Sequence, residues 1–85
     1  MERKELFDQQ SLLVFAERIK ELRTLKSITQ EDLAANSGLA LSQIARIETV
    51  KINPRLSTVF QIARGLNVDL AELFNFKLPP KEIPN

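Results

Sequence analysis

The sequence contains no cysteine and no histidine, and only two glycines among its 85 residues. Without cysteine there is neither a disulfide framework nor a thiolate metal site, a composition compatible with a reducing cytoplasm. Without histidine as well, the usual general bases, thiol nucleophiles and transition-metal ligands are missing, and two glycines cannot build a glycine-rich phosphate loop. The inventory argues against an enzyme, and no metal or other cofactor is expected. Carboxylate pairs do occur, at Glu17/Glu21 and Glu31/Asp32. At helical spacing beside Lys20, and in the first turn of a helix, they read as surface ion pairs and dipole partners rather than a catalytic dyad. Long apolar runs are lacking too, since the longest, Leu12 to Ala16, falls far short of a bilayer span. A basic segment leading into an apolar run and a small-residue cleavage site is also missing, so a soluble cytoplasmic protein with no membrane partner is expected.

What is present fits one small domain. A chain near this length buries only about 60% of the surface its unfolded form exposes, so help from a partner subunit is plausible. The net charge is only +1, but its distribution is uneven. Met1 to Ser37 holds six basic residues against seven acidic, whereas Gly38 to Arg64 holds Arg46, Lys51, Arg55 and Arg64 against Glu48 alone. The positive excess lies in the middle of the chain, as a solvated face or as a surface for an anionic partner.

That middle is organised by Thr29 to Glu48, TQEDLAANSGLALSQIARIE. Thr29 can cap a helix starting at Gln30, with Asp32 reaching back as in a capping box and Ile28 and Leu33 forming a hydrophobic staple. Gly38 suits a left-handed position that ends this helix. A second short helix follows a cap at Ala40, with Leu39 and Ile44 as its staple. Ile44 and Ile47 then face inward, leaving Leu41, Ser42, Ala45, Arg46 and Thr49 on the opposite face. Two short helices about a tight turn form a helix-turn-helix, and the outer face, poor in charge and short in side chain, suits a groove.

Flanking elements complete an all-α reading. Asp8 caps a first helix, with Phe7 and Leu12 as its staple and Leu12, Phe15, Ala16, Ile19 and Leu22 facing the core to an end near Lys26; Met1 to Phe7 reads as a frayed leader. Pro54 keeps Asn53 extended ahead of a fourth helix. That helix carries Leu56, Val59, Phe60, Ile62, Ala63 and Leu66, a stripe broad enough for burial on more than one side, and Asn67 ends it. Asp69 with Glu72 suggests a capping box for a fifth helix, stapled by Val68 and Leu73. The expected fold is a compact five-helix domain over residues 8–76 and an extended tail over 77–85, where Pro79, Pro80 and Pro84 exclude a helix. The tail reads as a linker more readily than as a proline-recognition ligand.

From Phe15 to Phe74 the sequence resembles the Cro/repressor-type (Xre, lambda-repressor-like) helix-turn-helix regulators of bacteria and phages. The resemblance rests on Ile19 to Arg23, Thr29-Gln30-Glu31-Asp32-Leu33-Ala34, Gly38-Leu39, Ile44 with Ile47-Glu48, Asn53-Pro54 and Leu66-Asn67-Val68, in the family's order and spacing. It implies binding to double-stranded DNA, most simply as a homodimeric repressor with the third helix in the major groove. By the same resemblance, Gln30 contacts phosphate through its side-chain amide and the helix-end N–H groups, the alternative being a solvent-facing first residue of the helix, and Leu41, Ser42 and Arg46 fall where related repressors touch base edges. Arg46 could instead grip phosphate alone, and Leu41 could fold onto the core. Gln43 is assigned either a phosphate contact or a capping role, and Lys51, Asn53 and Arg55 run along the backbone. An ion pair between Arg23 and Glu48 is implied as well. Three positions depart from the family pattern: Ser27 and Val50 stand where glycine is common, and Ala40 where Ser or Thr is usual.

Phe74, Phe76 and Leu78 alternate in a way that suits a short extended segment with one apolar face, either a dimer interface or cover for the monomer's own core. A second class of function, a protein-interaction module such as an antitoxin-like or accessory subunit, would use the fifth helix and the tail.

Overall fold

The computed structural model describes residues 8–80. Met1 to Phe7, and with them the leader and the Phe7 side of the first staple, lie outside the described residues, as does the tail beyond Pro80. Five helices follow one another: α1 (Gln9–Lys26), α2 (Gln30–Ser37), α3 (Leu41–Glu48), α4 (Leu56–Leu66) and α5 (Leu70–Leu73). Residues 77–80 have no regular structure.

α1 starts where Asp8 accepts from the Ser11 backbone N–H at 3.1 Å and from the Ser11 hydroxyl at 2.7 Å. These bonds, the hydroxyl's first, hold the Asp8 carboxyl below its ordinary pKa. The helix ends on Ser27 in the left-handed region, where the Ile28 N–H reaches the Arg23 carbonyl at 2.8 Å. At α2 the capping box is complete: Thr29 Oγ1 accepts from the Asp32 N–H at 3.0 Å and Asp32 Oδ2 from the Thr29 N–H at 3.1 Å. Asn67 closes α4 in the left-handed region.

The core is a single cluster drawn from every helix, with Phe15, Ile19, Leu22, Leu33, Ile44, Ile47, Val59, Ile62, Leu66 and Leu73 all buried. α2 and α4 pack closely at Gly65. A β-carbon there would lie 2.8 Å from Leu33 Cδ1, 2.9 Å from Ser37 Cβ and 3.2 Å from the Ser37 backbone nitrogen. The Ser37 hydroxyl is buried at this crossing and donates to the Leu33 carbonyl at 2.6 Å. Gln61 on α4 donates to the Ser37 carbonyl at 3.2 Å and so closes the end of α2.

The structure corrects several local expectations. Leu56 is 64% exposed rather than part of the buried stripe, and Phe60 and Leu12 are half-buried. Asp69 makes no side-chain capping bond, so α5 is one uncapped turn and not a capping box. It is held from outside: Arg18 Nε and Nη2 donate to the Glu72 carbonyl at 3.0 and 2.8 Å, while Nη1 pairs with Glu21 at 2.9 Å. Val50 sits in the left-handed region at φ 58°, a conformation costly for a β-branched residue.

Candidate nucleic-acid interface

The turn between α2 and α3 is set by Gly38 at φ 74°, and the Leu39 N–H closes it on the Ala34 carbonyl at 3.1 Å. α3 then starts on Ala40 without a side-chain cap, leaving one orphan donor of its first turn to solvent or a ligand. Its inner face is fixed by Ile44 and Ile47, both buried. Because a helix presents residues three and four apart on one face, this places Ser42 and Arg46 outward, with Leu41 beside them at 42% exposure. Leu41 does not fold onto the core. Ala45 and Gln43 are half-buried at the margins of the face. The Gln43 side chain makes no capping bond among the described residues, which leaves the margin of the face as its place.

Thr49 closes α3 with its hydroxyl donating to the Ala45 carbonyl at 2.8 Å. The chain then leaves through Val50, and the Lys51 N–H returns to the Arg46 carbonyl at 2.8 Å. Lys51, Asn53 and Arg55 are all exposed along this exit. Arg55 is the N-cap residue of α4 but does not cap it with its side chain. Leu41, Ser42 and Arg46 are thus exposed on α3, and Lys51, Asn53 and Arg55 are exposed in the chain that follows it.

A polar knot holds α3 in place. Glu48, only 4% exposed, receives Arg23 Nε on Oε2 at 2.7 Å and Arg23 Nη2 on Oε1 at 2.9 Å. The third arm of the guanidinium, Nη1, donates to the Ile28 carbonyl at 3.0 Å. This fork-to-fork geometry is the strongest arrangement available to such a pair. It ties the end of α1 to the end of α3 and to the residue before the α2 cap.

Gln30 joins the same knot, its Nε2 donating to Glu48 Oε1 at 2.9 Å. This is an arrangement the sequence reading did not contain, since that reading gave the Gln30 amide to phosphate or to solvent. Arg18, Ser37 and Gly65 were also missed. A small pair such as Ser37 and Gly65 leaves a faint trace in sequence, as a glycine inside an apolar helix. A guanidinium aimed at a carbonyl 54 residues away leaves none.

The three aromatic and aliphatic residues near the C-terminus form a separate feature. Phe74 stacks on Phe15 with centroids 5.7 Å apart and meets Phe76 edge-on at 6.2 Å. Phe76 packs on the core, Phe74 remains 43% exposed and Leu78 65% exposed. With Leu12, Phe15, Pro54 and Val59 they line an open apolar groove of about 480 Å³.

A family model described as helix-turn-helix matches residues 19–73. An uncharacterised helix-turn-helix-type transcriptional regulator of Archaeoglobus fulgidus is 39% identical over 59 residues, covering 69% of this chain and 83% of that protein. The crystal structure of the restriction-modification controller protein C.AhdI from Aeromonas hydrophila is 38% identical with a TM-score of 0.71, over 74% of this chain and 96% of that one. The controller protein C.Esp1396I bound to a 19 base pair DNA duplex is 35% identical with the same TM-score of 0.71, over 74% of this chain and 84% of that one.

Proposed function

The chain belongs to the Xre-type helix-turn-helix family of transcriptional regulators, and we propose that it acts as a sequence-specific repressor that inserts α3 into the DNA major groove as a homodimer. One observation carries the reading: α3 buries Ile44 and Ile47 while presenting Leu41, Ser42 and Arg46 outward, and the chain that follows exposes the cationic side chains of Lys51 and Arg55. An α-helix fits the major groove, where Arg46 can pair with guanine O6 and N7 and Leu41 can pack on a thymine methyl, with Ser42 permissive. Gln30, Gln43, Lys51, Asn53 and Arg55 contact the sugar-phosphate backbone and set register without reading sequence. Repression follows most simply, because a bound domain occludes the promoter it occupies.

Selecting bound sequences from random duplex DNA, then measuring affinity against salt, tests the reading. Arg46→Ala is expected to lower affinity for the selected site by about 1–3 kcal/mol and relax its sequence preference, and Lys51→Ala to weaken all sequences alike and reduce the salt slope by about one. A uniform, salt-linked loss for Arg46→Ala moves that residue from bases to phosphate. Absence of any selected sequence removes the repressor.

Two domains related by a two-fold axis read half-sites about 34–36 Å apart. The apolar groove, with Phe74 and Leu78 exposed on its rim, is the surface we assign to the second copy. Sedimentation equilibrium of the full chain beside one ending at Asn75 is expected to show a dimer weakened by the truncation. The same groove favours a second reading, an interaction module of antitoxin-like or accessory type that holds another protein; a full chain that is monomeric at tens of micromolar would favour it.

A further inference from the structure

We infer that Glu48 sets the orientation in which Gln30 meets a DNA phosphate, and so acts as a positioning residue for a contact it does not itself make. This rests on the DNA-binding reading above and asks how one of its backbone contacts is prepared.

A carboxylate only accepts hydrogen bonds, whereas a primary amide carries two N–H donors on one side and a carbonyl acceptor on the other. Gln30 Nε2 lies 2.9 Å from Glu48 Oε1. The amide is therefore held nitrogen-inward. Turning it over would exchange a charge-assisted bond for two oxygens facing each other. Glu48 cannot yield by rotating, because both of its oxygens are engaged by Arg23 at 2.7 and 2.9 Å and Arg23 is anchored on the Ile28 carbonyl.

One N–H of Gln30 is thus spent on Glu48, and the second is splayed away from it in the amide plane. Gln30 is half-buried at the first position of α2, so this second N–H is the donor left for an outside acceptor. Phosphate oxygens, like the carboxylate, only accept. An untethered amide would meet them with oxygen as readily as with nitrogen, while a tethered one keeps a single donor in a fixed direction. Arg23 also balances the Glu48 charge, so the tether adds no net negative charge beside the DNA backbone.

The experiment is a cycle of duplex affinities for the full chain, measured for the native protein, Gln30→Ala, Glu48→Gln and the double variant. A glutamine at position 48 donates as well as accepts, so it no longer imposes one orientation. Gln30→Ala is expected to weaken binding about fivefold beside Glu48, the equivalent of one hydrogen bond, and at most about twofold beside Gln at position 48. An equal loss in both backgrounds overturns the inference and leaves DNA binding standing; a native chain that binds no duplex removes the reading on which it rests.

Should Glu48→Gln not fold, the native protein answers by the ¹⁵N-resolved side-chain amide of Gln30. One of its protons is expected to be shifted and slow to exchange in the free chain, and the other to shift when duplex is added. Two protons that both exchange rapidly, or a tethered proton that is the one moved by DNA, would overturn the proposal.

Discussion

α1 is held differently at its two ends, and the contrast separates the parts of this domain that must be rigid from those left open. At its C-terminal end, Arg23 joins α2 and α3 through Glu48, with every arm of the guanidinium engaged. Directional bonds of this kind fix angles, and the surface they fix is the one assigned to DNA. Toward its N-terminal half, Leu12 and Phe15 receive Phe74 and Phe76 through ring stacking and an apolar groove, and at its middle Arg18 clamps the end of a one-turn helix. Apolar contact is tolerant of sliding, which suits a surface that completes itself against another molecule.

The largest effect is expected where the directional knot is cut. Arg23→Met keeps the apolar stem but leaves Glu48, whose side chain is 3% exposed, with a charge that the Gln30 amide alone cannot balance. Removing one partner of a buried pair costs roughly 3–5 kcal/mol, against about 1 kcal/mol or less for an exposed one. Urea unfolding is expected to show a loss in the first range. A loss of only about a few tenths of a kcal/mol would place the pair with exposed ones and dissolve the contrast between the two ends.

Cutting the clamp at the middle of α1 should matter less. Arg18→Met removes two donors from the Glu72 carbonyl and the pairing with Glu21. That carbonyl sits at the end of an exposed turn where water can take over, so the expected loss is about 1 kcal/mol. Its location is the sharper readout. Hydrogen exchange should speed up at the backbone N–H groups of Leu73 and Phe74, which close the α5 turn, while the α2 and α3 amides keep their protection. Faster exchange across both regions would mean that α5 and the α2–α3 unit open together as one cooperative unit.

The same contrast explains what could be read from sequence. Elements specified by their own neighbours were legible: the Thr29/Asp32 capping box, the Gly38 turn and the 3.6-residue spacing of Phe15, Ile19 and Leu22 all depend on residues within one or two turns. The Asp69/Glu72 pair has the same local signature, yet no capping bond forms, because α5 is placed by Arg18 and the packing of Leu73 rather than by its own first turn. The Arg23–Glu48 pair entered only through the family resemblance, since nothing within 25 residues of chain foretells it. The Gln30 tether lay beyond even that, being a choice of amide orientation that only the placed carboxylate makes.

The smallest expected effect concerns Val50, which faces the N-terminal half of α1 across a shallow pocket. It lines that pocket with Gln9, Gln10, Leu13 and Thr49, while its backbone is left-handed at φ 58°. The left-handed conformation costs an ordinary residue about 1–2 kcal/mol, and a half-buried valine returns about 1 kcal/mol by covering apolar surface. Val50→Gly relieves the first and forfeits the second, while the glycine also loses more backbone entropy on folding. The balance is a gain of at most about 0.5 kcal/mol in urea unfolding, against about 1 kcal/mol for Ser27→Gly, whose exposed side chain has little packing to forfeit at φ 57°. A loss for Val50→Gly beside a gain for Ser27→Gly would show that packing of Val50 against α1 outweighs its strain. The N-terminal half would then be held by that contact as well as by the aromatic groove.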